Sequence, residues 1–306
     1  MKIAVVGAGG VGGYFGGMLA LAGNAVTFIA RGATLDAIVN NGITIISDND
    51  KINVTVAATD DPSRVDSVDL VIFAVKTYDT DAAINSLSSL VSGGASVLTL
   101  QNGVESYIQL GEALGNIHVL PGSAYIESSI QSPGVIRQSG HVVRIVFGEL
   151  DGSKSLKAVQ IHGAFSGAGV NCELSTDVVK TLWTKFLFIA SVAGLTSACR
   201  TRIGDLLDQP GYLDLLLDIM REIENVGRAR GVILDDDVVR KTQRYVEEAV
   251  KDITASLHID LENGRRLELE TFTGAVVRLG VQAEVATPIN DLLYKILKPH
   301  VGGRAA

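Results

Sequence analysis

Apolar residues near the start of the chain fall into two short blocks, 3–6 and 25–29, separated by a glycine-rich stretch whose apolar positions recur at helical spacing over 14–21. Short apolar blocks bounded by glycine read as buried strands. The longer periodic stretch reads as a helix stopped by Gly23 and Asn24. Strand, helix and strand in that order make a βαβ unit. Two further apolar runs, "DLVIFAV" (69–75) and "SVLTL" (96–100), enclose another helical pattern, which predicts a parallel sheet with helices on its faces. Over 44–57 and 118–147 the pattern changes to alternating, β-branched residues, which predicts antiparallel strands or hairpins at the sheet's edge. "VNCELS" (170–175) predicts a last strand. After Asp177 the signals are helical: 178–199, 211–230 closed by Gly231, a helix opened by Asp235 to Asp237, 266–279, and a helix begun by Thr287-Pro288. The expectation is an α/β chain in two domains: 1–174 with a doubly wound sheet, then 175–306, all helical. The terminal "GGRAA" (302–306) is expected to fray.

The glycines of the first turn carry the strongest chemical signal. Gly7-x-Gly9-x-x-Gly12 follows a strand and opens a helix, the setting in which this spacing points to a dinucleotide. Gly7 permits the tight turn, Gly9 lets backbone amides approach a pyrophosphate, and Gly12 lets the helix sit close on the sheet. A carboxylate commonly ends the second strand of NAD-binding domains, where it receives the ribose 2′-hydroxyl. Here that place holds Ala30 and then Arg31, a cation suited to a 2′-phosphate, so the expected cofactor is NADP(H). Lys76 and Asn102 follow the strands at 69–75 and 96–100. Ligands of open α/β sheets lie beyond that end of the strands, although either residue also suits a solvated turn.

In the helical half, Lys185 stands within a long apolar helix, with Ile189, Ala193 and Thr196 on its face. Such a lysine either snorkels to water or, partly desolvated, has a pKa lowered toward the working range of a proton donor. Further on, "ASLHIDLENGRRLELETFTG" (255–274) gathers Ser256, Asp260, Arg265, Arg266, Glu268 and Glu270 before and into a helix, where a solvated helix start is the plain alternative.

Composition narrows the classes. The 306 residues are 47% hydrophobic and carry a formal charge of −8, enough for more than one core and the wrong sign for a nucleic-acid or anionic-membrane partner. The two cysteines, Cys172 and Cys199, show no metal or disulfide spacing, which points to buried thiols and a cytoplasmic setting. The apolar stretch 186–199 is short and interrupted for a bilayer span, and no histidine or carboxylate cluster suggests a metal.

Taken together the motifs resemble the ketopantoate reductase (2-dehydropantoate 2-reductase) family. They are "GAGGVG" at the start, Arg31 after strand two, Val75-Lys76, "QNG" (101–103), "LWTKFLF" around Lys185, "GLT" (194–196), "SLHID" with "NGRRLELE", and "TPINDLLYKILK" near the end. The resemblance implies an N-terminal Rossmann domain, a helical C-terminal domain and NADPH-dependent reduction of a small 2-keto acid in pantothenate and coenzyme A synthesis. It implies Lys185 as proton donor, Asn102 orienting the nicotinamide end, Ser256 on the substrate carboxylate and Glu268 holding the substrate hydroxyl and the lysine. It assigns Arg31 to the ribose phosphate and Lys76 to the cofactor side, and it admits a homodimer. One departure stands out: the family's asparagines four and eight residues beyond the lysine are Ile189 and Ala193 here. That leaves open a less polar 2-keto acid as substrate, or an NADP(H)-binding sensor without turnover.

Overall fold

The computed structural model describes residues 1–48, 50–249, 251 and 254–304, which form two compact units, Met1–Val178 and Val179–Ala306. The expectations for 44–57 and for the tail touch Asn49, Ala305 and Ala306, which lie outside the described residues.

In the first unit the strands are β1 (Lys2–Val6), β2 (Ala25–Ile29), β3 (Ile43–Ile46), β4 (Lys51–Val54), β5 (Ala57–Thr59), β6 (Leu70–Phe73), β7 (Ser96–Thr99), β8 (Val119–Ser132), β9 (Val135–Phe147) and β10 (Asn171–Leu174). They join in one mixed sheet of order β4-β3-β9-β8-β7-β6-β1-β2-β5, with β10 also on β9. The run from β8 to β5 is parallel throughout. The β8–β9 hairpin and the β3–β4 hairpin are the antiparallel pairs. The fold is thus a doubly wound α/β domain followed by a helical one, as the residue pattern predicts. The structure corrects the reading of 44–57 at its end: Ala57 belongs to β5, which lies parallel to β2 at the opposite edge of the sheet from the β3–β4 hairpin.

The central strands are buried because both faces are covered. Ile3, Val5, Phe28, Leu70, Ile72 and Leu98 point into one core, and Ala4, Val6, Val71, Phe73 and Val97 into the other. Full burial of one such side chain stabilises by about 1.5–3 kcal/mol. Helix Gly10–Leu21 reaches the sheet through its glycines. A Cβ on Gly16 would lie 2.6 Å from Phe28, and one on Gly17 would lie 2.8 Å from Ile45. The cost of so much glycine in a helix, about 1 kcal/mol each, is offset by that close approach.

The second unit is built around helix Val178–Cys199, a single run of 22 residues. By length and composition it would suffice to cross a bilayer, more than the sequence reading of 186–199 allowed, but most of its apolar window is buried inside the protein. Leu182, Trp183, Phe186, Leu187 and Leu195 are buried, and the hydroxyls of Ser191 and Thr196 return to the carbonyls of Leu187 and Val192 at 2.8 and 2.7 Å, which satisfies them without water. Gly194 and Gly227 admit close neighbours: added Cβ atoms there would lie 2.8 Å from Thr273 and from Trp183.

Helices Tyr212–Ala229, Val238–Ala249 and Pro288–Leu297 answer to the expected ones. The helix predicted over 266–279 is corrected: a turn of 3-10 helix, Leu269–Thr271, precedes helix Thr273–Gln282, and Phe272 between them has φ −100° and ψ −103°. Two amides just before this segment find acceptors outside it. Arg265 N–H donates to the Asp260 carbonyl at 2.8 Å and Leu267 N–H to the Val301 carbonyl at 3.0 Å.

Candidate functional site

In the first unit a pocket of about 320 Å³ opens where β1, β2 and β6 end, lined among others by Gly7, Ala8, Gly9, Arg31, Thr34, Asp60, Val75 and Asp79. Its floor is the turn between β1 and helix Gly10–Leu21. Gly7 has φ +103°, and a Cβ there would lie 2.7 Å from the Val75 nitrogen. A Cβ on Gly12 would lie 2.0 Å from the Gly7 carbonyl oxygen. Both glycines are therefore required by the protein's own packing. Gly9 differs: a Cβ there would meet nothing within 4 Å. Its bare backbone faces open space at a helix N-terminus with no acidic residue in the first turn. The first amides of a helix have no intrahelical acceptor and favour an anion. These features fit a dinucleotide pyrophosphate.

Gly7, Gly9 and Arg31 thus share one pocket, and Gly12 packs beneath it. Arg31 is exposed, at the N-cap of helix Gly32–Asn41. Lys76 and Asn102 do not line the pocket. Each is half-buried and follows a residue with a structural duty: Val75 in the pocket wall, and Gln101, whose amide donates to the Val75 carbonyl at 2.9 Å. The pocket also holds Asp60 and Asp79, which the sequence reading missed. Asp60 follows a strand of three residues, too short to show any period.

In the second unit Lys185 is half-buried on helix Val178–Cys199, and burial brings its ammonium down to about 8. Desolvation disfavours the charged form, so the shift has the direction expected of a proton donor made usable near neutral pH. Of the two residues that follow at helical spacing, Ile189 is half-buried and Ala193 fully buried. Ser256 is the first residue of helix Ser256–Glu262, and Glu268 is buried immediately before the 3-10 turn. Glu268 therefore sits on an irregular segment rather than in the predicted helix. That segment is tied down two residues on, where Glu270 accepts from the Tyr294 hydroxyl at 2.8 Å and pairs with Lys298.

Compared with known proteins, residues 3–152 match the family described as ketopantoate reductase PanE/ApbA, and residues 177–301 match its C-terminal part. The chain is 29% identical over 298 residues to the uncharacterized oxidoreductase YkpB of Bacillus subtilis, covering 97% of this chain and 98% of that one. It is 28% identical over 300 residues to the 2-dehydropantoate 2-reductase of Halobacterium salinarum, with 97% and 98% covered. Among solved structures, the PanE/ApbA family ketopantoate reductase from Ralstonia eutropha superposes with a TM-score of 0.89 at 32% identity, covering 98% of each chain.

Proposed function

Because this chain belongs to the ketopantoate reductase PanE/ApbA family, we propose that it is an NADPH-dependent oxidoreductase that reduces a small 2-keto acid, 2-dehydropantoate first among them, in the synthesis of pantothenate and coenzyme A. The observation that carries the reading is the pocket in which the open backbone of Gly9 and the guanidinium of Arg31 stand together at the ends of parallel strands.

When bound, the nicotinamide would supply hydride to the carbonyl carbon. The rest falls to this chain's own side chains. Charge that develops on the carbonyl oxygen calls for a cation that can also give up a proton, and Lys185 is assigned that role. With its pKa near 8 it is still largely protonated at neutral pH yet a stronger acid than an exposed lysine. Glu268 is assigned to the substrate hydroxyl and to the lysine, Ser256 to the substrate carboxylate, Asn102 to the nicotinamide end of the cofactor, and Lys76 to the cofactor side. These assignments rest on the family resemblance.

A second reading keeps the scaffold and changes the substrate. Ile189 and Ala193 offer no hydrogen bonds on the face beyond Lys185, which favours a less polar 2-keto acid. Single-turnover oxidation of NADPH with a panel of 2-keto acids tests both. Fast turnover of 2-dehydropantoate supports the first reading, preference for an alkyl 2-keto acid the second, and no oxidation with any member overturns the enzyme reading.

A further inference from the structure

The nucleotide pocket carries charges of both signs, and their arrangement follows from the sheet. Strand β5 lies parallel beside β2 with Thr59 opposite Ile29, and the Ala30 amide donates to the Thr59 carbonyl at 3.0 Å. The chain therefore leaves both strands at the same level, and Arg31 and Asp60 line the same pocket. Both side chains are exposed, and among the described residues neither makes a hydrogen bond or ion pair with the other or with any other side chain. The adjacent Asp61 shows what a structural aspartate looks like here. Its carboxylate accepts from the Ser63 amide at 3.0 Å and the Ser63 hydroxyl at 2.6 Å, and pairs with Arg64. Asp60 has no such duty, and it lines the pocket that Arg31 also lines.

A carboxylate at the end of the second strand is the usual receptor for the ribose hydroxyls of NAD, and it repels a 2′-phosphate. In this chain that strand is followed by Ala30 and Arg31, and the carboxylate comes instead from Asp60, just after the neighbouring strand. Asp79 adds a second carboxylate to the lining, so Arg31 is outnumbered. We propose that Asp60 is a specificity-determining residue which opposes Arg31, accepting a ribose hydroxyl of NADH and repelling the 2′-phosphate of NADPH, so that the protein binds both nucleotides with only a modest preference. The proposal rests on the reading of this pocket as a nucleotide site and refines it.

The test uses the full chain, its Asp60→Asn and Asp60→Ser variants, and four probes: NADPH, NADH, 2′,5′-ADP and 5′-AMP. Loss of a like charge beside the 2′-phosphate is expected to tighten NADPH and 2′,5′-ADP about three- to tenfold. NADH and 5′-AMP are expected to bind no tighter, and the gain for NADPH should shrink as ionic strength rises. If the fragments and nucleotides bind but both variants leave the NADPH to NADH ratio unchanged, the role of Asp60 is overturned while the pocket assignment stands. If neither fragment nor nucleotide binds the unaltered protein, both are overturned.

Discussion

Gln101 donates its side-chain amide to the Val75 carbonyl at 2.9 Å and to the Thr80 hydroxyl at 2.8 Å, tying the loop after β7 to the loop after β6. Val75 is also the residue whose nitrogen a side chain at Gly7 would strike. One buried amide thus holds the wall against which the glycine turn is fitted. Gln101→Leu should leave the Val75 carbonyl without its partner, at a cost of about 1–3 kcal/mol. Chemical denaturation should register that loss, and nucleotide titration should show weaker binding. A variant with unchanged stability and affinity would mean that the wall holds its position without the clamp.

Arg31 is exposed and has no structural partner among the described residues, so its removal should be felt by the ligand rather than the fold. Arg31→Ala should weaken NADPH by roughly 1.5–3 kcal/mol, the range for a charged hydrogen-bonded contact, and leave NADH nearly unchanged. Titration of both nucleotides decides it, and equal losses would remove the 2′-phosphate from this end of the pocket.

Lys185 gives two separable expectations. As the acid in reduction it must be protonated, so kcat/KM should fall as pH rises through about 8, and Lys185→Ala should lower kcat by about 10²-fold or more, with Lys185→Arg unable to restore it. In folding the sign is opposite. The folded pKa lies below the ordinary 10.5, so between about 8 and 10.5 the unfolded chain holds more protons and stability rises with pH. Lys185→Met should therefore stabilise the protein at pH 7, by about 1–3 kcal/mol, with the gain fading by pH 10.5. Thermal unfolding across that range is the check. A constant difference would mean that burial is not what lowers the lysine.

Glu222 is a buried carboxylate with a purely structural task. Its oxygens accept from the amides of Ile289 and Asn290 at 2.8 and 2.9 Å and from the Asn290 side chain at 2.7 Å, which caps helix Pro288–Leu297 from another helix. Glu222→Ala should strand those donors and cost about 2–4 kcal/mol. Glu222→Gln should cost less, since one amide oxygen still accepts. Unfolding midpoints of the two variants in that order would support the cap, and equal midpoints would count against it.

What the sequence makes legible is what local spacing encodes. Gly7, Gly9 and Gly12 announce their turn because their spacing falls within six residues between a strand and a helix, and Arg31 is located by counting from that turn. Asp60 escapes notice because β5 is three residues long and is held by its neighbour rather than by its own pattern. The clamp of Gln101 joins residues 26 apart, and beside Glu268 the Leu267 amide is held by the carbonyl of Val301. Pairings of that kind belong to the tertiary structure, and no periodicity carries them. The lysine helix lies between these cases: its extent is plain from apolar residues alone, while the depth of each position along it is not.

That depth alters how the substrate face of the lysine helix is best probed. Where the resemblance leads one to expect two asparagines, Ile189 is half-buried and Ala193 is 1% exposed. Asparagine at 193 would have to displace packed neighbours, an overpacking that costs about 1–3 kcal/mol, whereas asparagine at the half-buried position 189 replaces a larger side chain. Without either, the hydroxyl of 2-dehydropantoate lacks its partner on this face, and a site that reads only methylenes discriminates by about 1–3 kcal/mol. The ratio of kcat/KM for 2-dehydropantoate over 2-keto-3,3-dimethylbutyrate should then lie below about 10³, well short of sites built around a hydroxyl. Ile189→Asn should raise that ratio while preserving the fold, and Ala193→Asn should lower stability before it alters selectivity. Both ratios and both unfolding curves are needed. A ratio above about 10⁴ in the unaltered protein, the scale of hydrogen-bond recognition, would show that another group, Glu268 foremost, already supplies the contact and that the apolar face does not decide the substrate.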